Sequence, residues 1–199
     1  MRHFHLTLLI LVSSFIGSQA LAQGSSATSS QAPLTKTASA VSELDALFNA
    51  LKRERDPEKA RNITSQIMLE WNDSGSATVN LLMQWAATAV DEKRNAAALD
   101  FLDQVTLLRP DYAEAWNRRA GLHYAMGNPR KSMADINQVL IREPRHFGAL
   151  AGMAGILAEN GKDEMALKAW ERYLAIYPAD RDAQQAATSL SEKLAGNRI

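Results

Sequence analysis

Cysteine is missing from all 199 residues. That excludes disulfide frameworks, thiolate metal centres, cysteine nucleophiles and a lipid anchor on a processed cysteine. The chain also lacks a Gly-x-Ser-x-Gly elbow, a phosphate-cradling glycine loop and a His-Glu-x-x-His pair. His123 and His146 stand in separate segments with no ligand pattern around them, so no metal is expected. With no nucleophile, base or carboxylate pair in a recognisable setting, no catalytic residue and no cofactor is expected either. Net charge is absent too: Lys plus Arg and Asp plus Glu number 22 each, which leaves nothing to draw nucleic acid or an anionic membrane surface. No stretch alternates apolar and polar residues with the period of two that a strand requires.

What is present is apolar material in quantity. Hydrophobic residues make up 46% of the chain, enough for a packed core and too much for disorder throughout. The first 22 residues form a separate object. Arg2 precedes the apolar run 6–16, and Ala20-Leu21-Ala22 places small residues where signal peptidase requires them. Cleavage is expected after Ala22, because the run is far shorter than the roughly 20 residues of a spanning helix. Only Arg2 among the charged residues is lost, so the exported chain stays near neutral, without a stable membrane span and in the periplasm or secreted. Residues 23–41 are rich in Ser, Thr and Ala without an apolar period, and a flexible leader is expected there.

Proline is scarce, with six in the chain, yet Pro110, Pro144 and Pro178 are separated by equal steps of 34 positions (144 − 110 and 178 − 144). The residues between them fall into register. A small residue recurs at Ala86, Ala120 and Ala154, a large one precedes it at Leu82, Trp116 and Leu150, and a second small one follows at Ala98, Ser132 and Ala166. Leu102, Ile136 and Trp170, then Val105, Val139 and Tyr173, close each unit. Two antiparallel helices in close contact need this pattern, since small residues let the backbones approach and large ones fill the space around them. Gly127-Asn128 and Asn160-Gly161 mark turns, and Asn128 before Pro129 is expected to cap the following helix. Trp116 and Trp170 fall at positions expected to be buried between helices.

Upstream, Leu44, Leu47, Phe48 and Leu51 share one helical face, Asp56-Pro57 opens a second helix, and Ile63, Ile67 and Trp71 continue its stripe. The register slips at Asn72-Asp73-Ser74-Gly75-Ser76. After Pro178, residues 179–195 read as a solvating cap helix with Ala183, Ala187, Leu190 and Leu194 on one side, before a tail at 196–199.

The units carrying Trp116, Ala120, Gly127, Ser132 and Pro144, and likewise Leu150, Ala154, Gly161, Ala166 and Pro178, resemble tetratricopeptide repeats. The expected fold is all-α: a right-handed α-solenoid of antiparallel helix pairs, with units at about 42–74, 77–110, 111–144 and 145–178 and a C-terminal capping helix. The resemblance implies a protein or peptide partner held in a groove lined by the first helix of each unit. On this chain the groove positions would be Asn80, Met83, Gln84 and Ala87, then Asn117, Arg118, Gly121 and Tyr124, then Gly148, Ala151, Gly152 and Gly155. Asn117 and Arg118 offer donors to a peptide backbone or carboxylate. Gly152 and Gly155 either leave room for a ligand or permit tight helix packing. Met83, Ala87, Gly148 and Gly152 stand where the carboxylate clamp of cytosolic chaperone adaptors would place its basic residues, which speaks against that mode. Self-assembly through the end helices, as a homodimer, is the competing expectation.

Overall fold

A computed structural model describes residues 32–196, with side chains from residue 43 onward. The described residues form nine α-helices: α1 (Ala32–Arg53), α2 (Pro57–Asn72), α3 (Ala77–Asp91), α4 (Asn95–Leu108), α5 (Ala113–Ala125), α6 (Pro129–Arg142), α7 (Phe147–Glu159), α8 (Asp163–Ile176) and α9 (Arg181–Gly196). The signal segment, its cleavage point and residues 197–199 lie outside the described residues. α1 begins inside the segment 23–41 expected to be a leader, with Pro33 in its first turn, where the missing N–H removes no helical bond. No helix among the described residues is long and apolar enough to cross a membrane.

The three evenly spaced prolines follow α4, α6 and α8 at equivalent places. Each stops a second helix, because a proline forces its predecessor out of helical geometry. The turns within units repeat as well. Gly127 and Gly161 adopt left-handed φ of 74° and 67°, and the next amides, Asn128 and Lys162, donate back to His123 and Leu157 at 2.8 and 2.9 Å. In the first of these turns Lys93 takes the glycine's position at φ 59°, and Arg94 donates to the Ala89 carbonyl at 2.7 Å. A β-carbon in that conformation costs roughly 1 kcal/mol. Lys93→Gly is expected to raise stability by about 0.5–1 kcal/mol, read as a higher midpoint in thermal denaturation.

Capping follows the sequence in part. Asp56 accepts from the Glu58 and Lys59 amides at 2.9 and 3.1 Å, and Ser76 accepts from Val79. Asn128 occupies the cap position of α6, but its side chain does not cap the helix and donates to the Met126 carbonyl instead. Asp180 caps α9 through the Asp182 and Ala183 amides and accepts a bond of 2.5 Å from the Tyr173 hydroxyl. Trp116 and Trp170 are half-buried rather than buried. Trp116 keeps its indole N–H on the Pro110 carbonyl at 3.0 Å, with Arg119 and Arg142 over its ring at 4.6 and 4.8 Å.

From α3 onward the helices stack pairwise, each first helix covering the second helix before it: α5 on α4, α7 on α6, α9 on α8. The first pair departs from this order. α1 packs against α8 and α2 against α5, and neither packs substantially on α3. One cluster joins Phe48, Leu51, Ala60 and Ile67 of the first pair to Phe147, Leu150, Tyr173, Tyr177 and Ala183 near the chain's other end. A separate cluster holds α3 and α4 to α5 through Val79, Leu82, Ala86, Leu102, Val105 and Leu122. The expected first unit is thus folded back across the stack instead of stacked before α3.

The vacated face is visible in the register. Ala115 and Leu122 of α5 are buried in the cluster shared with α4, and Arg119 between them bonds to Asp103 of α4. One 34-residue step upstream stand Leu81, Trp85 and Thr88 of α3. Leu81 and Trp85 are 43% and 46% exposed.

Candidate functional site

The groove is built on α5 and α7, the first helices of adjacent units, with α3 on one side and the end of α2 on the other. Asn117, Arg118, Gly121 and Tyr124 of α5 meet Gly148, Gly152 and Gly155 of α7 around a hollow of about 430 Å³, whose floor includes Ala120, Ser132, Ile136 and Ile156. A second hollow, of about 330 Å³, continues from Arg118 and Gly121 to Ala87, Val90 and Asp91 of α3. A smaller one runs from Asn117, Arg118 and Gly148 to Met68, Trp71 and Asn72 of α2. Arg118 lines all three and is the centre of the groove.

Eight of the twelve expected groove residues therefore come together. Four do not. Met83 is buried, at 4% exposure, in the α3–α4 core. Ala151 packs against the cluster that joins the two chain ends. Both sit one repeat step from Asn117, in the column of positions that leans toward neighbouring helices. Asn80 is spent on the α2–α3 turn, where its Oδ1 accepts from the Ser74 amide and hydroxyl at 3.0 and 2.6 Å and its Nδ2 donates to Asp73 at 3.0 Å. Gln84 is exposed and lines none of the three hollows.

Four helical glycines line the main hollow. A β-carbon built on Gly121 or Gly155 would meet nothing within 4 Å, and one on Gly148 or Gly152 would make only ordinary contacts, at 3.4 Å, with His146 and Ile136. Internal packing does not require glycine at any of the four. The interior three, Gly121, Gly152 and Gly155, each cost their helix about 1 kcal/mol relative to alanine.

The polar end is organised by Glu114, a residue the sequence reading passed over although one repeat step from Asn80 and from Gly148 leads to it. Its Oε1 accepts from Arg118 Nε at 3.0 Å, and its Oε2 accepts from Asn117 Nδ2 at 3.0 Å and faces His146 Nε2 at 3.3 Å. The Ala149 amide donates to His146 Nδ1 at 3.1 Å, which caps α7 and leaves Nε2 to donate to Glu114. Arg118 Nη2 also donates to Asn72 Oδ1, and the Trp71 ring stacks on His146 at 4.1 Å and 5°. At the opposite end the Tyr124 hydroxyl donates to Glu159, whose acceptance raises the phenol above its ordinary value.

Burial raises the Glu114 carboxyl, but the bonds from His146 and Arg118 outweigh it and hold the group below the ordinary glutamate value of 4.5. A carboxyl depressed in the folded state contributes stability that is full above its unfolded value and is lost as pH falls through the folded one. Denaturation midpoints below pH 4.5 are therefore expected to fall less steeply for Glu114→Gln than for the parent chain.

A larger cleft of about 700 Å³ lies between α6 and α8 over α7, lined by Met133, Met153 and Met165 with Arg130 and Lys162. Asn137 and Asn160 add to its polar lining, and none of the twelve expected groove positions falls in it. Among the described residues no cluster of three or more metal-ligating side chains occurs.

Stacked helix pairs presenting a continuous groove define an α-helical repeat scaffold, a class built for protein–protein interaction. The chain belongs to the tetratricopeptide repeat family. It is 68% identical over 155 residues to a TPR repeat-containing protein of Rhizobium etli, across 78% of this chain and 76% of that relative. Among solved structures it is similar to the first TPR domain of Spaghetti (RPAP3) bound to the HSP90 peptide SRMEEVD, with a TM-score of 0.55 at 18% identity over 59% of this chain and 93% of that one. The TPR domain of P58(IPK) matches with a TM-score of 0.53 at 19% identity over 80% of this chain and 43% of that one. At such identities the likeness concerns the fold alone. No protein-family model matches the chain.

Proposed function

We propose that this protein is a non-catalytic adaptor of the cell envelope that holds a segment of another polypeptide in the groove between α5 and α7. The observation that carries the reading is the open space above Gly121 and Gly155. Helix-weakening residues without an internal steric need are accounted for by a chain that comes close to the helix backbone. Asn117 and Arg118 would fix such a segment through its carbonyl or carboxylate groups. The apolar run and small-residue site at the N-terminus support export. The lack of basic residues at Met83, Ala87, Gly148 and Gly152 argues against recognition of a chaperone tail.

Gly155→Ala tests the glycine argument directly. The variant is expected to be more stable by about 1 kcal/mol, since a helical glycine is replaced where there is room. Gly155→Leu is expected to fill the hollow and remove the partner captured by crosslinking from envelope extract, with helical circular dichroism unchanged. Capture that survives both Gly155→Leu and Arg118→Ala would sink the reading.

Self-association is the second reading, favoured by exposed Leu81 and Trp85 on α3. Light scattering separates the two: a dimer that dissociates in Trp85→Glu places the main interface there and not in the groove.

A further inference from the structure

The Arg118 end of the groove is covered by this chain's own α2. In the regular order α2 would lie against Leu81 and Trp85 of α3, and it has left that face open. Its body is anchored through Ile67 in the cluster with Phe147 and Tyr173. Its last turn packs on the same cluster, with Trp71 against Phe48 and Phe147 at 5.8 and 4.9 Å, and from there it also reaches groove residues. There Asn72 accepts from Arg118 and Trp71 lies flat on His146, which is an oxygen on a guanidinium beside an aromatic stack. The fit is incomplete, because the Trp71 indole N–H is buried with no acceptor among the described residues. An unsatisfied donor of this kind costs roughly 1–3 kcal/mol. The turn that follows, 73–76, includes Gly75 at φ 71°, and Asn72 itself is exposed.

We propose that the last turn of α2, Trp71-Asn72, is an internal occupant of the groove, and that the partner displacing it presents an aromatic side chain next to a side-chain carbonyl or carboxylate. This rests on the groove reading above and names the chemistry of its ligand. An occupied site must be vacated before a partner binds, so the internal contact weakens apparent affinity by the fraction of chains in which it is broken.

The test uses full-length protein and a fluorescent peptide copying residues 68–72, Met-Leu-Glu-Trp-Asn. The wild type is expected to bind weakly. Trp71→Ala with Asn72→Ala is expected to bind about tenfold or more tightly than wild type, and Arg118→Ala added to that background to lose the gain. In wild type, saturating peptide is expected to speed hydrogen exchange at the amides of residues 70–72 as their own turn is displaced. That readout separates displacement from the filling of a hole left by truncation. Should the double variant lose helical content, Asn72→Ala alone replaces it with the same expected order of affinities. A variant that binds no more tightly than wild type, or wild-type binding without faster exchange, overturns the proposal.

The two readings fail separately. Partner capture blocked by Gly155→Leu with a negative peptide result removes only the internal occupant. Capture indifferent to both Gly155→Leu and Arg118→Ala with a positive peptide result removes the groove reading.

Discussion

Arg119→Ala is expected to destabilise the protein by about 3–5 kcal/mol, because it strands a buried carboxylate. Arg119 holds Asp135 with two bonds, Nε at 2.8 Å and Nη2 at 2.7 Å, and reaches across to Asp103 at 2.7 Å and Thr106 at 3.1 Å. The Asp135 side chain is 7% exposed beneath Arg119, so truncating Arg119 leaves it poorly solvated. The same bonds hold the guanidinium above its ordinary value. Three helices, α4, α5 and α6, meet at this one side chain. Against a total stability of about 5–15 kcal/mol the loss would shift a urea midpoint severely. Arg119→Met with Asp135→Leu is expected to recover most of it, since what hurts is the unpaired charge more than the missing pair. A single variant that unfolds within about 1 kcal/mol of the parent would show that Asp135 finds other solvation.

The second large effect concerns the fold-back of the first helix pair. Leu51→Ala and Ile67→Ala each remove a side chain with no solvent exposure from the cluster that joins the chain's two ends. A loss of about 2–5 kcal/mol is expected from transfer and cavity terms together. The location of the loss matters as much as its size. If α1 and α2 dock as described, hydrogen exchange should speed up in α7 and α8 as well as in α2, while the α3–α4 cluster stays protected. Regular stacking of α2 on α3 would produce the opposite pattern, with α3 losing protection first. The bond from Arg145 to Asp45 at 2.6 Å, with the same guanidinium over Phe48 at 4.1 Å, ties the two ends at a second point.

Much of the repeat was legible because its signals are local. A proline ends a helix by clashing with its own neighbours, a glycine turn needs only its own φ, and Asp56 caps amides two and three residues away. Lys93-Arg94 reads from the repeat register as the replacement for the usual glycine turn, and Lys93 holds the glycine's conformation there. The groove was legible in outline, since Asn117, Arg118, Gly121 and the glycines of α7 recur at the helical period and the repeat step. Met83 and Ala151 share Asn117's column yet pack in or against the core, because the boundary between groove and core depends on how far neighbouring helices lean. Glu114 was missed because a lone glutamate in a first turn reads as solvated until His146 and Arg118 are seen to converge on it.

The sequence by itself determined the helices, their turns, the 34-residue unit and the membership of most of the core. Tertiary structure alone decided where the first pair goes. An apolar stripe such as Phe48, Leu51 and Ile67 states that a helix must be covered, and burial is blind to what covers it. The choice of Tyr173 and Phe147 over Leu81 and Trp85 rests on contacts between residues about a hundred positions apart, for which a one-dimensional pattern carries no term.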